Sequence, residues 1–227
     1  MDFTPFHTVC NPEIIKFYIS VLNCDPNTPG HDGGMLLHFA AHNGHIDIMK
    51  CLIEEQNCSP SCLDKYHNTP LHYASKSGQL DSVKYLTLEQ FCDTAACRNN
   101  ENNTPIHDAA LNGNLEVVRF YSTELKCDSN ISGYDDGTPL HSAANGGHLS
   151  IVKYLIEEQK CNPSCVDKDG NTPIYYASMF GHLDVAKYLT LEQHCNPEVS
   201  KMREISLLFT LQPILANWRL SDFLSVT

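Results

Sequence analysis

TPLHSAANGGHLSIVKYLI, residues 138–156, is the clearest copy of a phrase that this chain repeats. Variants of it begin at Met35, Thr69, Thr104 and Thr172, so the starts are 34, 35, 34 and 34 residues apart. A fixed period of that length marks a solenoid, in which one supersecondary unit stacks on copies of itself and cannot bury a core alone. Within the phrase, Thr138 is a good N-cap, and Pro139 at the first helical position gives up an amide that would have no intrahelical acceptor. Gly147 permits a left-handed turn. His148 and Leu149 then open a second helix whose apolar Leu149, Val152, Leu155 and Ile156 share one face. Each unit is a helical hairpin with an apolar inside.

The period alone would suit tetratricopeptide units of about 34 residues better than ankyrin units of about 33. The motif decides otherwise. The tetratricopeptide pattern of Trp, Leu-Gly, Tyr, Ala and Pro is absent. TPLHSAA, TPLHYAS, TPIHDAA and TPIYYAS, each followed by a Gly and then by Leu with an acid or Ser, resemble ankyrin repeats over residues 4–197. The resemblance implies an all-α solenoid of helix-turn-helix units joined by β-hairpin loops. The residue additional to the family period falls near the end of the second helix. There the family places Gly, and this chain has Asn57, Phe91, Lys126, Lys160 and His194. A left-handed cap costs more without Gly, so the helix is expected to end by another route.

Five units follow, at 35–68, 69–103, 104–137, 138–171 and 172–197, preceded by a shortened capping unit at 1–34. In that first unit TPFHTVC (4–10) matches the start of the motif, and Asn11-Pro12 replaces the Gly turn before EIIKFYI (13–19). The loops LDKYHNTP, RNNENNTP, SGYDDGTP and VDKDGNTP place His67, Asn102, Asp136 and Gly170 two residues before each Thr, with Gly33 before Met35. These residue types suit the positive φ that a tight hairpin requires. Asn99–Asn103 is read as carrying one residue more than its counterparts, so that loop is expected to deviate in shape. Residues 35–92 also resemble 138–195 at a constant offset of 103, as if a three-unit block had been duplicated. The tail 198–227 loses the pattern and reads as a degenerate C-terminal cap, a docking motif or a disordered segment.

A net charge of -12 argues against nucleic acid, which needs clustered Lys and Arg, and suits a partner with a basic surface. The apolar run of the tail is too short to span a bilayer, so no membrane insertion is expected. MDFTPFHTVC carries no export signal, which places the chain in the cytoplasm, with the nucleus also open to it. Six of the eleven cysteines (Cys24, Cys58, Cys92, Cys127, Cys161 and Cys195) recur once per unit. Equivalent positions on packed helices lie about 8–10 Å apart, beyond disulfide reach, so these read as small buried thiols in a reducing compartment. The pairs Cys58/Cys62, Cys92/Cys97 and Cys161/Cys165 lack the spacing of a zinc knuckle. No metal and no cofactor are expected.

His7, His38, His72, His107 and His141 occupy one motif position. The family resemblance assigns them hydrogen bonds to the Thr of their own motif and to the adjoining hairpin, a structural role. Catalysis would need a nucleophile and an orienting acid in one distinct place, and identical surroundings in every unit offer none. No catalytic residue is expected. The expected function is a monomeric, non-enzymatic module that binds a partner protein in a preformed groove. The alternatives are an adaptor subunit whose tail docks an enzyme complex, and a fragment of a larger ankyrin-repeat enzyme or channel. In the family the groove is lined by hairpin tips and first helices. Carried onto this chain, that points to Tyr66, Lys76, Glu101, Leu111, Tyr134, Asp135, Asn145, Lys168, Met179 and Phe180 as partner-binding residues.

Overall fold

The computed structural model describes residues 11–30 and 32–196; the TPFHTVC motif with His7, and the tail with its cap, docking and disorder readings, lie outside them. Two compact units divide the chain, Met1–Asp128 and Ser129–Thr227. The first contains α1 (Pro12–Ser20), α2 (Leu36–Asn43), α3 (Ile46–Lys50), α4 (Pro70–Ser77), α5 (Leu80–Lys84), α6 (Pro105–Leu111) and α7 (Leu115–Thr123). The second contains α8 (Pro139–Gly146), α9 (Leu149–Lys153), α10 (Pro173–Met179) and α11 (Leu183–Lys187).

In the first unit α2, α4 and α6 lie side by side, and in the second α8 lies beside α10. Small residues make this close approach possible: Ala40, Ala41, Ala74, Ser75, Ala109 and Ala110 are buried in one unit, Ala143, Ala144, Ala177 and Ser178 in the other. Behind them the second helices contribute the bulk of the core through Ile48, Met49, Leu52, Val83, Leu86, Val118 and Tyr121, and through Ile151, Val152, Leu155, Val185 and Leu189. Tyr121 stands where its counterparts carry Leu, and its hydroxyl is answered by Ser75 Oγ at 2.6 Å. Ser75 Oγ itself donates to Leu71 O at 2.7 Å, so Tyr121 is the donor in the pair.

Neighbouring helix pairs are also pinned by polar side chains. Gly78 and Gly147 end α4 and α8 at φ +75° and +76°. The residue that starts the second helix of the next pair reaches back to those ends. Asn114 Nδ2 donates to Ser75 O (2.8 Å) and Lys76 O (2.9 Å), and His182 Nε2 lies 2.8 Å from Asn145 O. A Cβ on Gly147 would stand 2.3 Å from His182 Nδ1, so this position needs glycine for space as well as for conformation.

The second helices end in a way that corrects the sequence expectation. Asn57, Phe91, Lys126, Lys160 and His194 adopt φ between 52° and 60°, the left-handed cap itself, without glycine. Before four of them, all but Lys126, the helix widens. Gln56, Gln90, Gln159 and Gln193 donate five residues back, to Cys51, Tyr85, Tyr154 and Tyr188 O, closing π-helical stretches at Cys51–Glu55, Tyr85–Glu89, Tyr154–Glu158 and Tyr188–Glu192. A single π-turn holds one residue more than an α-turn, which is where the additional residue of the period goes. The same stretches join neighbours, Tyr85 Oη donating to Glu54 (3.0 Å) and Tyr188 Oη to Glu157 (2.8 Å).

Each loop between helix pairs is a tight turn closed by two backbone hydrogen bonds, as in Asp64 N to Asn68 O and His67 N to Asp64 O. No strand occurs among the described residues, because two such bonds make a hairpin tip and no ladder. His67, Asn102, Asp136, Gly33 and Gly170 all have positive φ. Asn99–Asn103 keeps the same two bonds and does not deviate. The longer unit takes its residue upstream, where Cys97 N reaches back four residues to Asp93 O, while Cys62 N and Cys165 N reach back three. The irregular tip is Tyr134–Asp136, a 3-10 turn with Asp135 also at positive φ, since Gly133 stands where Asp64, Asn99 and Asp167 anchor the others.

Candidate functional site

The anchoring acid is nearly buried and answered on both oxygens. Asp64 Oδ1 accepts from Tyr66 N and Asn68 N, and Oδ2 from Asn68 Nδ2 and from Tyr73 Oη at 2.9 Å. Asp167 repeats this with Asp169, Asn171 and Tyr176. Burial raises the Asp167 pKa, but the hydrogen bonds more than offset it, and the carboxyl lies below its ordinary value. The tyrosine at the fifth position of the motif thus bolts the first helix to its hairpin. Each tip also hooks onto the one before: Lys65 N donates to Asp32 O, Asn100 N to Tyr66 O, and Lys168 N to Asp135 O.

Three units lack that tyrosine, with Phe39, Asp108 and Ser142 in its place, and at the second of these a cleft follows. In α6 the bolting position is Asp108, and its side chain is too short to reach a hairpin. A cleft of about 440 Å³ opens there, lined by Tyr66, Asn68, Tyr73, Lys76, Asn99, Asn100, Glu101, Asn103, Leu111, Asn112 and Asp108 itself, with His72 behind. Burial pushes the Asp108 carboxyl up to about 7; the Lys76 ammonium works against that shift and Glu101 adds to it.

The histidine at the fourth motif position forms the wall behind. His72 Nδ1 accepts from Thr69 N at 3.1 Å and lies 2.9 Å from Thr69 Oγ1, so Nε2–H is the donor to Asn103 O, at 3.2 Å. His38 and His141 bridge in the same way to Asn68 O and Asn171 O. Burial lowers the pKa of all three, that of His72 to about 4. These are neutral structural imidazoles, in the role the motif implies.

A family model for ankyrin repeats (3 copies) matches residues 7–95 and 106–201. The chain is an ankyrin-repeat protein. A search of curated proteins finds no match. Ankyrin repeats are protein–protein interaction modules, and no helix among the described residues of this one is long and apolar enough to cross a membrane.

Of the residues singled out from the sequence of this ankyrin-repeat protein, the cleft brings together Tyr66, Lys76, Glu101 and Leu111. In the second unit Tyr134, Asp135 and Lys168 form a cluster of their own: Lys168 Nζ pairs with Asp135 and lies 6.0 Å from the Tyr134 ring centroid. Asn145 is at the end of α8, its carbonyl held by His182. Met179 and Phe180, at the end of α10, are 56% and 52% exposed. Asp108 was missed. Its signal lay in the repeat alignment, where the same position reads Phe39, Tyr73, Asp108, Ser142 and Tyr176.

The cysteines are tied to the scaffold. All ten described ones are free thiols, and Cys92, Cys161 and Cys195 Sγ lie 3.6–3.8 Å from the carbonyls of Pro60, Ser129 and Pro163 in the loop one repeat earlier. Burial raises the pKa of Cys92 and Cys195, and pushes Cys58 and Cys97 up to about 11 and Cys62 to about 12, which keeps these five protonated. Among the described residues no three His, Cys, Asp or Glu side chains are grouped to hold a metal.

Proposed function

We propose that this chain is a non-enzymatic, monomeric interaction module that captures a partner protein in the cleft between the hairpin tips and first helices of residues 66–112. The observation that carries this is convergence. Four side chains chosen because the repeats disagree there fall around one preformed cavity, walled by two tyrosines and a leucine. Aromatic groups on a rigid frame bind at low entropic cost. Tyr134, Met179 and Phe180 supply exposed apolar area for further contact. The net charge of -12 favours a basic protein surface over nucleic acid. The repertoire of protonated thiols suits a reducing, intracellular setting. We take the repeat boundaries as those read from the motif, since each interval from 35 to 197 holds one helix pair, with 1–34 as the cap.

Two surface variants test this, Tyr66→Ala with Leu111→Ala, and Tyr134→Ala with Met179→Ala and Phe180→Ala. Both should keep the helical circular dichroism and urea midpoint of the parent. In quantitative affinity capture a partner retained by the parent should be lost at least tenfold from the first variant, an order expected for buried aromatic anchors. A set of captured proteins unchanged by both variants would overturn the proposal.

A further inference from the structure

The cleft sets two carboxylates, Asp108 and Glu101, against one ammonium, that of Lys76, and most of its amide nitrogens are already engaged. Asn68 Nδ2 is spent on Asp64, Asn99 Nδ2 on Asn68 Oδ1, Asn100 Nδ2 on Lys65 O and Asn112 Nδ2 on Asp108 O. Tyr73 Oη is spent on Asp64. In each amide the nitrogen is fixed by the oxygen it faces, so the other end is an acceptor. Among the lining residues Asn100 Oδ1, Asn112 Oδ1 and the carboxylates of Asp108 and Glu101 remain as acceptors, Glu101 taking one long bond (3.4 Å) from Asn103 Nδ2. No side-chain atom of Asp108 makes a hydrogen bond among the described residues, and Lys76 acts on it without an ion pair. A half-buried acid without a partner is a cost to the free protein that a bound donor would relieve.

We propose that the cleft receives an arginine side chain of the partner protein, with the half-buried Asp108 as its inner counter-charge and Glu101 as the outer one. This rests on the protein-binding reading above and gives it a chemistry. A guanidinium presents donors only, in a planar fork that pairs with a carboxylate while still reaching amide oxygens, and its flat face suits the tyrosine walls. Lysine, with a compact and strongly hydrated ammonium, matches that arrangement less well.

The probe is a displayed library of random linear 12-residue peptides, selected on the full chain at neutral pH. Clones are kept if they lose binding to the Tyr66→Ala/Leu111→Ala variant. The expected result is one fixed arginine among them. Replacing that arginine by citrulline in the synthetic peptide should weaken binding more than tenfold by fluorescence anisotropy, as should Asp108→Asn in the protein. Citrulline and Asp108→Asn together should cost little more than either alone. Glu101→Gln, at the rim, should weaken binding less and increase its salt sensitivity. Asp108→Asn removes a half-buried, unpaired charge and should leave the fold intact by circular dichroism. Cleft-dependent peptides that share lysine, or no basic residue, would overturn the arginine assignment and leave the protein-binding reading standing. A library with no cleft-dependent binder at all would overturn both.

Discussion

His72→Gln should remove one identifiable share of the pH dependence of stability between pH 7 and 5, the shares of His38, His141 and Asp108 being common to parent and variant. The folded pKa of His72 is held at about 4 by burial, against an ordinary value of 6.5. With the folded value below the unfolded one, the stabilisation is complete above about pH 6.5 and is lost as pH falls toward 4, because only the unfolded chain takes up the proton. At about 1.36 kcal/mol per pKa unit, the loss is about 2 kcal/mol between pH 7 and pH 5 and about 3 kcal/mol below pH 4. Glutamine at this third helical position can still accept from Thr69 N, as in a capping box, so the variant should fold. Asp108 opposes the trend in the parent. Its raised pKa of about 7 makes the folded state gain stability as pH falls, so the parent curve alone is no test. The informative quantity is the stability difference between parent and variant from urea denaturation, which should shrink by about 2 kcal/mol from pH 7 to pH 5. Imidazole resonances followed through the same range would report His72 directly. A constant difference, or an imidazole that titrates near its ordinary value, would refute the reasoning.

The buried Ser75–Tyr121 pair should behave asymmetrically. Ser75→Ala strands the Tyr121 hydroxyl and costs about 2 kcal/mol, Tyr121→Phe about 1 kcal/mol, and the double variant little more than the second alone, as read by urea midpoints. Gly147→Ala should cost about 3 kcal/mol, since strain at positive φ is joined by a collision with His182. Gly181→Ala, where no described atom lies within 4 Å, should cost about 1 kcal/mol by the same denaturation assay. Phe91→Gly should stabilise by about 0.5–1 kcal/mol, raising the melting temperature in calorimetry, because an 83% exposed ring at φ 54° is being removed from a conformation that glycine adopts freely.

What could be read from the sequence was whatever recurs. Thr138, Pro139, His141 and Gly147 set helix starts, a bridging imidazole and a left-handed turn by local rules, and the structure places each in that role. The loop residues His67 and Asn102 likewise declared their positive φ by type. Two local expectations failed for a shared reason: a residue count says that one is extra without saying which hydrogen bond absorbs it. The helix end took a π-turn followed by a left-handed residue, and the longer unit took its residue near Asp93. The Ser75–Tyr121 pair spans 46 residues and has no local signature. Asp108 was visible as a disagreement between repeats. Its meaning depended on Tyr73 and Tyr176 being bolts, which only the geometry of Asp64 and Asp167 reveals.

The widened helix ends have a consequence for exchange between arrays. A residue absorbed inside a π-turn adds length without displacing the first-helix neighbours or the tips, so the two ends of a repeat still present the same joints. Repeats of this chain should therefore be interchangeable as cassettes with ordinary ones of about 33 residues. Deletion of the single glutamine at position 56, 90, 159 or 193 is the natural splice between the two gauges.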